Sequence, residues 1–165
     1  MKRISVAVAL LAFAGGAVAQ GYPSRPVTLT VGFAPGGGTD TVARVMQRKL
    51  AEYLGQTVVV ENRAGAGGTI AASIVAKAEP DGYNILLATI AALAVAPHLN
   101  SKLPYHPLTD FAPISMATES GNVLVVHPSL PAKTLAEYVK LANDRPGGIA
   151  YGTSGVGSAG NLAGE

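Results

Sequence analysis

Residues 27–40 read VTLTVGFAPGGGTD, in which a mostly apolar run is followed by a proline and three glycines. Its first eight residues, 27–34, are mostly apolar or β-branched, which predicts a buried β-strand. The three glycines that follow Pro35 break the strand and predict a tight loop. The stretch therefore predicts a strand that runs directly into a glycine loop.

A helix is predicted to follow this loop. Thr39 or Asp40 can cap its start, and Asp40 is better explained as such a cap than as a member of a carboxylate pair. Apolar side chains then recur at helical spacing as far as Leu54. Gly55 is placed to end the helix in the left-handed conformation.

The same unit recurs along the chain. The sequence predicts further strands at 57–62, 84–89, 112–118, 122–128 and 149–154. It predicts further helices at 69–78, from 90 until Pro97, and at 133–144, with another beginning after the last glycine loop. Strands that alternate with helices imply right-handed crossovers, so we predict an α/β fold with mostly parallel sheets flanked by helices. Such sheets bind ligands beyond the carboxyl ends of their strands.

Three predicted junctions combine glycines with a helix start, at 36–40, 65–69 and 155–158. Glycine lets the backbone approach a ligand closely, and a helix start offers unpaired N–H groups with a partial positive charge. Such a junction suits phosphate, sulfate or carboxylate. Each could instead be only a tight turn, but three on one sheet edge favour an anionic ligand. Glu61, which stands next to Asn62 and Arg63, either orients the second loop or is solvated.

Residues 155–160 also match G-x-G-x-x-G, the dinucleotide fingerprint, which keeps an NAD(P)-dependent oxidoreductase as an alternative. Against it, Gly152, Thr153 and Ser154 stand where the preceding strand normally stays apolar. The three histidines show no metal-ligand spacing and the chain has no cysteine. We therefore predict no metal site, no cofactor and no catalytic residue.

The N-terminus has the pattern of a secretory signal peptide. Lys2 and Arg3 precede a short apolar run, and Ala17-Val18-Ala19 fits the A-x-A cleavage motif. Without Lys2 and Arg3, the 12 basic residues fall to ten, equal to the 10 acidic ones. This balance gives no reason to expect nucleic acid as a partner. Secretion without cysteine suits the bacterial periplasm.

Most of the chain after residue 20 resembles the receptors of tripartite tricarboxylate transporters, also called Bug-type receptors. The resemblance rests on the ordered succession of PGGGTD, VVENRAGAGG and PDGY, and continues through LPYHPLTDFAPISM, NVLVVHPSLPAKTL and YGTSGVGSAGNLAGE. It implies a periplasmic binding protein of type II, a two-lobed "Venus flytrap". The implied ligand is a small carboxylate: a di- or tricarboxylate, an amino acid or an aromatic acid. The implied partners are membrane transporter subunits, or a membrane kinase if the receptor serves sensing instead of transport.

The resemblance also implies a domain division. Residues 1–19 form the signal peptide, 20–121 belong to the first lobe, and 122–165 contain the hinge crossing and the start of the second lobe. Chains of this family are roughly twice as long, so the second lobe is expected to be incomplete here. We expect residues 20–165 alone not to make a complete receptor, and the full-length protein to be a monomer.

In this family the first two glycine loops hold one ligand carboxylate through backbone groups and water, and the third adds hydroxyl groups. Carried over, the ligand-binding residues are Phe33, Gly36, Gly37, Asp40, Ala66, Gly67, Gly68, Thr89, Thr153, Ser154, Gly157 and Ser158. The chain departs from the family pattern at Ala64, where proline is usual, at Gly32, where proline is often found, and at Gly160-Asn161, where a polar residue and histidine are more typical. The glycine pattern itself is intact, so the class of ligand is better defined than its identity.

The signal-peptide interpretation predicts cleavage after Ala19. Protein isolated from the periplasm should begin at Gln20, and its intact mass should correspond to residues 20–165. Mass spectrometry of the exported protein checks this, and a mass that retains the first 19 residues would contradict it.

Overall fold

The computed structural model describes residues 21–165, so the predicted signal peptide lies outside the described residues. Its sheet has three strands, β1 (Val27–Val31), β2 (Val58–Asn62) and β3 (Asn84–Leu87), in the order β2-β1-β3. Both pairings are parallel, with Val27 opposite Val58 and Thr28 opposite Asn84. The predicted α/β architecture with a parallel sheet is confirmed.

Helices connect the strands and continue beyond them. They are α1 (Gly38–Leu54), α2 (Thr69–Ala76), α3 (Ala96–Leu99), α4 (Leu135–Asp144) and α5 (Ala159–Gly164), with a 3₁₀ turn at Ala66–Gly68 and a π-helical turn at Ala91–Val95. The chain crosses from β1 through α1 to β2, and from β2 through α2 to β3. Each crossover returns the chain to the same end of the sheet. The loops that follow the three strands therefore lie along one edge.

The central strand β1 forms the core. Val27, Leu29 and Val31 are fully buried and pack with Ala43 of α1 and Val58 of β2. Apolar side chains at alternate positions face one helix layer, and this burial is the main favourable contribution to folding.

A second apolar cluster lies around α2 and the π-helical turn. Its buried members are Ala72, Ala92 and Tyr105. The Tyr105 hydroxyl donates to the Ala92 carbonyl at 2.6 Å, and the ring packs edge-on against Phe111. Burial raises the pKa of Tyr105. This hydrogen bond lets a polar tip be buried without leaving an unpaired group.

The start of α1 differs from the prediction. Its N-cap is Gly37, so Thr39 and Asp40 lie inside the first turn and neither caps the helix. The helix begins earlier because the Asp40 side chain reaches back to the Gly36 N–H and so holds the loop against the first turn. The C-terminal prediction is confirmed, since Gly55 ends α1 with a φ of 63°.

The helix after β3 also differs from the prediction, which ended it at Pro97. It continues to Leu99 because Pro97 lies in the first turn of α3, where a missing N–H breaks no helical hydrogen bond. The Ala96 N–H donates instead to the Ala91 carbonyl, closing the π-helical turn before the proline. The predicted helix over 133–144 is confirmed as α4, which begins with a capping box formed by Thr134 and Glu137.

Three predicted strands, at 112–118, 122–128 and 149–154, are absent from the described residues. Apolar side chains there, such as Ile114, Val123 and Val125, are exposed. A strand is stable only when a neighbour accepts and donates its backbone hydrogen bonds, and no described segment pairs with these three. Within residues 21–165, no helix is both long enough and apolar enough to span a bilayer.

The core makes a direct prediction about stability. Leu29 is 1% exposed at the centre of β1, whereas Leu108 is 85% exposed. We expect Leu29→Ala to lower the free energy of unfolding by about 2–5 kcal/mol, because it removes buried methyl groups and leaves a cavity. The matched change Leu108→Ala should stay within about 0.5 kcal/mol. Urea unfolding followed by circular dichroism measures both, and equal effects would contradict this assignment of the core.

Candidate functional site

The loops after β1 and β2 touch through their backbones at the carboxyl edge of the sheet. A β-carbon at Gly32, just after β1, would lie 2.7 Å from the Cα of Gly68. No side chain larger than hydrogen fits there without moving one of the two loops. The absence of a side chain at Gly32 therefore allows the first and second loops to touch.

The second loop turns through four successive residues with positive φ. These angles are 137° at Gly65, 48° at Ala66, 65° at Gly67 and 94° at Gly68. Ala66 is the exception among them, because a β-carbon is disfavoured in this region. Its carbonyl accepts from the Thr69 hydroxyl at 3.0 Å, which helps to hold it in this conformation. The loop leads directly into α2, so N–H groups of the loop and of the helix start gather at one place.

The loop after β3 lies against the second loop. The methyl groups of Ala91 and Ala92 lie 4.0 Å and 3.6 Å from where β-carbons at Gly67 and Gly68 would stand. The Phe33 ring, from the first loop, reaches within 3.5 Å of the same point at Gly68. Three loops, one after each strand, therefore meet around the start of α2.

Thr89 contributes an unpaired polar group at this edge. It lies two residues after β3, and its hydroxyl oxygen is buried with no hydrogen-bond partner among the described residues. Burying a hydroxyl without a partner is unfavourable, so such a group calls for a ligand or a water molecule.

Asp40 is a buried carboxylate beside the first loop. Its side chain is 3% exposed, and its oxygens accept from the Gly36 N–H at 2.8 Å, from Arg44 Nε at 2.8 Å and from Asn62 Nδ2 at 3.0 Å. The Arg44 guanidinium, followed by the Gly36 N–H and the Asn62 amide, holds the pKa of Asp40 far below its usual value. Asp40 is therefore ionised at any physiological pH, and its acceptor oxygens face protein donors.

The third glycine loop packs on the second. The Val156 carbonyl oxygen lies 3.3 Å from the position of a β-carbon at Gly67, and Gly157 lies against Val95 and Leu99. The Ser158 hydroxyl is buried and caps α5 by accepting from the Asn161 N–H at 3.2 Å. This loop therefore closes over the edge where the other three meet.

The structure brings together some of the residues predicted to bind ligand and separates others. Phe33, Gly67, Gly68 and Gly157 lie at the meeting point of the loops. By contrast, Asp40 and the Gly36 N–H are occupied by each other. Thr153 and Ser154 are exposed, and the Thr153 hydroxyl contacts only the backbone of Gly155.

Sequence reasoning missed the role of Asn62 and Arg44. The sequence assigned no role to Asn62, whose side-chain amide donates to the Phe33 carbonyl of the first loop at 2.9 Å. Glu61 and Arg63 form an ion pair with each other. The spacing of Asp40 and Arg44 by four residues on a predicted helix was the available signal for their pairing.

The dinucleotide alternative lacks its required context. No strand is formed at 149–154, before the G-x-G-x-x-G sequence, and the helix after it has six residues. A dinucleotide site needs a strand that leads into the loop and a helix that supports the pyrophosphate. In the described part of the chain, no group of three or more His, Asp or Glu residues is placed to hold a metal ion.

Comparison with known proteins identifies close relatives. The family described as "Tripartite tricarboxylate transporter family receptor" matches residues 42–165. A protein of the UPF0065 group from Bordetella pertussis is 41% identical over 165 residues, which is 100% of this chain and 50% of that protein. "Protein BugT" of the same organism is 41% identical over 163 residues, which cover 98% of this chain and 50% of that protein. The chain thus spans about half the length of the curated relatives it matches.

Solved structures agree with the sequence relatives. One described as a periplasmic transporter superposes with a TM-score of 0.77 at 41% identity, covering 87% of this chain and 48% of the other. MatC from Rhodopseudomonas palustris, solved with bound malate, superposes with a TM-score of 0.70 at 41% identity. The match covers 74% of this chain and 42% of MatC. A second R. palustris protein, solved with adipate, superposes with a TM-score of 0.71 at 40% identity. The match covers 76% of this chain and 42% of the other.

These matches confirm both the fold class of periplasmic binding proteins and the resemblance noted in the sequence. The family match covers three quarters of the chain, and the alignment with the UPF0065 protein of B. pertussis covers all of it. The chain belongs to the tripartite tricarboxylate transporter receptor family.

Proposed function

We propose that this protein is a periplasmic receptor that binds a small carboxylate and delivers it to the membrane subunits of a tripartite transporter, without catalysing a reaction. The observation that carries the proposal is the backbone contact of the first two glycine loops at Gly32 and Gly68. Each of these loops leads directly into a helix, α1 or α2. Two helices thus begin after touching loops at the edge where an open α/β sheet binds its ligand.

Backbone groups supply the attraction for the anion. The first-turn N–H groups of α1, at Gly38 and Thr39, have no partner within that helix, and the first turn of α2 offers further groups beyond Thr69, whose own N–H donates to the Ala66 carbonyl. Each helix start also carries about half a unit of positive charge. A carboxylate has two oxygens that can each accept from such donors, so it matches two adjacent helix starts.

The ligands of solved relatives support this class. MatC was solved with malate and the other R. palustris protein with adipate, both of which carry two carboxylates on a short carbon chain. We propose that this chain binds a ligand of the same general kind. One carboxylate would lie between the first two loops, with the unpaired Thr89 hydroxyl facing it directly or through water.

The remaining contacts follow from the family. We propose that Gly37, Ala66, Gly67 and Gly157 provide backbone contact or close approach, as predicted from the sequence. Residues 20–121 are assigned to the first lobe, which agrees with a sheet formed entirely by strands before residue 88. Residues 122–165 are assigned to the hinge and the start of the second lobe, whose Thr153, Ser154 and Ser158 would face the ligand.

Ligand titration followed by NMR tests this proposal on the chain itself, because chemical shifts report weak binding. We expect malate and adipate to shift the backbone amides of Gly38, Gly67 and Thr69. Malamide, the uncharged diamide of malate, should leave them unchanged at the same ionic strength, since it lacks carboxylates. NAD⁺ serves as a second comparison. Shifts with NAD⁺ and none with either dicarboxylate would overturn the proposal.

A pair of glycine variants separates binding from stability. Gly67 and Gly55 have nearly equal φ angles, 65° and 63°, but Gly55 ends α1 in open space. Alanine at either position should cost about 1 kcal/mol of stability through backbone strain. Only Gly67→Ala should weaken dicarboxylate binding, by at least about tenfold, or 1.4 kcal/mol. Melting temperature and NMR titration measure the two effects, and equal binding by both variants would contradict the role of the second loop.

A further inference from the structure

We propose that Asp40, Arg44 and Asn62 form a positioning network that sets the first glycine loop before ligand arrives, and that Asp40 does not touch the ligand. The inference rests on the proposed function for its effect on affinity, although its effect on the loop can be measured without ligand. It gives Asp40 a different role from both sequence-based interpretations, ligand contact and helix cap.

The hydrogen bonds of Asp40 argue against contact with a ligand. One carboxylate oxygen accepts from the Gly36 N–H and from Arg44 Nε, both at 2.8 Å, and the other accepts from Asn62 Nδ2 at 3.0 Å. The side chain is almost fully buried, and it is an acceptor carrying negative charge. A carboxylate ligand needs donors, so Asp40 can serve it only by arranging the donors around it.

Asn62 extends the network from the first helix to the end of β2. Its Nδ2 donates both to Asp40 and to the Phe33 carbonyl, the latter at 2.9 Å, while its Oδ1 lies 3.4 Å from Arg44 Nη2. Asn62 is 29 residues from Phe33 along the chain. This one amide therefore joins the loop after β1, the first turn of α1 and the last residue of β2.

The network fixes both ends of the first loop. Asn62 holds the Phe33 carbonyl at its beginning, and Asp40 holds the Gly36 N–H near its end. The Phe33 ring meanwhile packs against Gly68 of the second loop. A loop restrained at Phe33 and Gly36 presents Gly38 and Thr39 in one arrangement, which reduces the ordering that binding would otherwise require.

Arg44 makes a buried carboxylate compatible with an anion site. An unpaired negative charge next to the first turn of α1 would repel the proposed ligand. The ion pair with Arg44, whose side chain is half exposed, neutralises that charge. Among the three hydrogen-bond donors to Asp40, the Gly36 N–H and the Asn62 amide are neutral and the Arg44 guanidinium carries the balancing positive charge.

The change Asp40→Asn distinguishes the three roles. Asparagine nearly equals aspartate as a helix cap, and it would favour an anionic ligand if residue 40 touched it. In the network, however, asparagine has one acceptor oxygen where two are used. With its oxygen towards Gly36 and Arg44, its NH2 group faces the NH2 group of Asn62; turned the other way, it leaves both Gly36 and Arg44 without an acceptor.

The matched control is Asp110→Asn. Asp110 accepts from the backbone N–H four residues before it, His106, at 2.7 Å, as Asp40 does from Gly36. Asp110 is exposed and lies outside the three loops. Both changes replace one of the two oxygens of a carboxylate that accepts from a backbone amide, but only Asp40 lies in the network.

The experiment measures amide hydrogen exchange at Gly36 by NMR, and affinity for malate and adipate by titration, in the unmodified chain and both variants. We expect Asp40→Asn to speed exchange at Gly36 at least tenfold, to shift the amides of Phe33 and Ala34, and to weaken dicarboxylate binding at least tenfold. Asp110→Asn should change each of these quantities by less than twofold.

Unchanged exchange at Gly36 together with unchanged Phe33 and Ala34 amides in Asp40→Asn, or equal or tighter dicarboxylate binding, would overturn the positioning role. If Asp40→Asn does not fold, Asn62→Ala decides, because it removes the links to Phe33 and Asp40 but keeps the Asp40–Arg44 pair. Altered Phe33 and Ala34 amides in that variant support the network, and unaltered ones refute it. If the unmodified chain binds neither dicarboxylate, the proposed function fails, while the exchange measurement still decides the network.

Discussion

The contact between Gly32 and Gly68 is the constraint on which the rest of the site depends. The two backbones approach so closely that a β-carbon at Gly32 would stand 2.7 Å from the Gly68 Cα. Parallel strands β1 and β2 deliver both loops to one edge, but the sheet spacing alone does not bring their backbones into contact. Because neither residue has a side chain, the loops that lead into α1 and α2 come into contact.

The buried sheet beneath the site explains why these loops can be so irregular. Of four successive residues with positive φ, the three glycines adopt it without strain, whereas Ala66 is strained and persists only where the surroundings hold it. Here the surroundings are β1, buried on both faces, and the small methyl groups of Ala91 and Ala92 packed beneath Gly67 and Gly68. The low aromatic content of the sequence fits this arrangement, since small side chains let the loops approach closely.

Local sequence patterns predicted the elements from β1 to β3 but not the later part of the fold. In the candidate site, they likewise predicted the glycine loops but not the side-chain contacts between distant residues. Hydrophobic periodicity and glycine placement identified the elements from β1 to β3, because glycine marks unusual backbone geometry directly. The prediction of strands at 112–118, 122–128 and 149–154 was wrong. A strand forms only when a neighbouring strand pairs with it, and the pattern of a single segment does not reveal whether such a neighbour exists. Asn62 could not be assigned for a similar reason, since its partners Phe33 and Asp40 are 29 and 22 residues away in sequence.

If the chain binds a carboxylate as proposed, the charges around the loops indicate how the site would attract the anion and still release it. Arg44 and Arg63, which flank the first and second loops in the sequence, are each paired with a carboxylate, Asp40 and Glu61. The attraction therefore comes mainly from backbone dipoles at the helix starts, whose effect falls off within a turn of the helix. Short-range dipoles distinguish a correctly placed carboxylate from the surrounding anions of the medium. They also hold it without the strong pairing of a buried guanidinium, and a receptor that must pass its ligand on benefits from that.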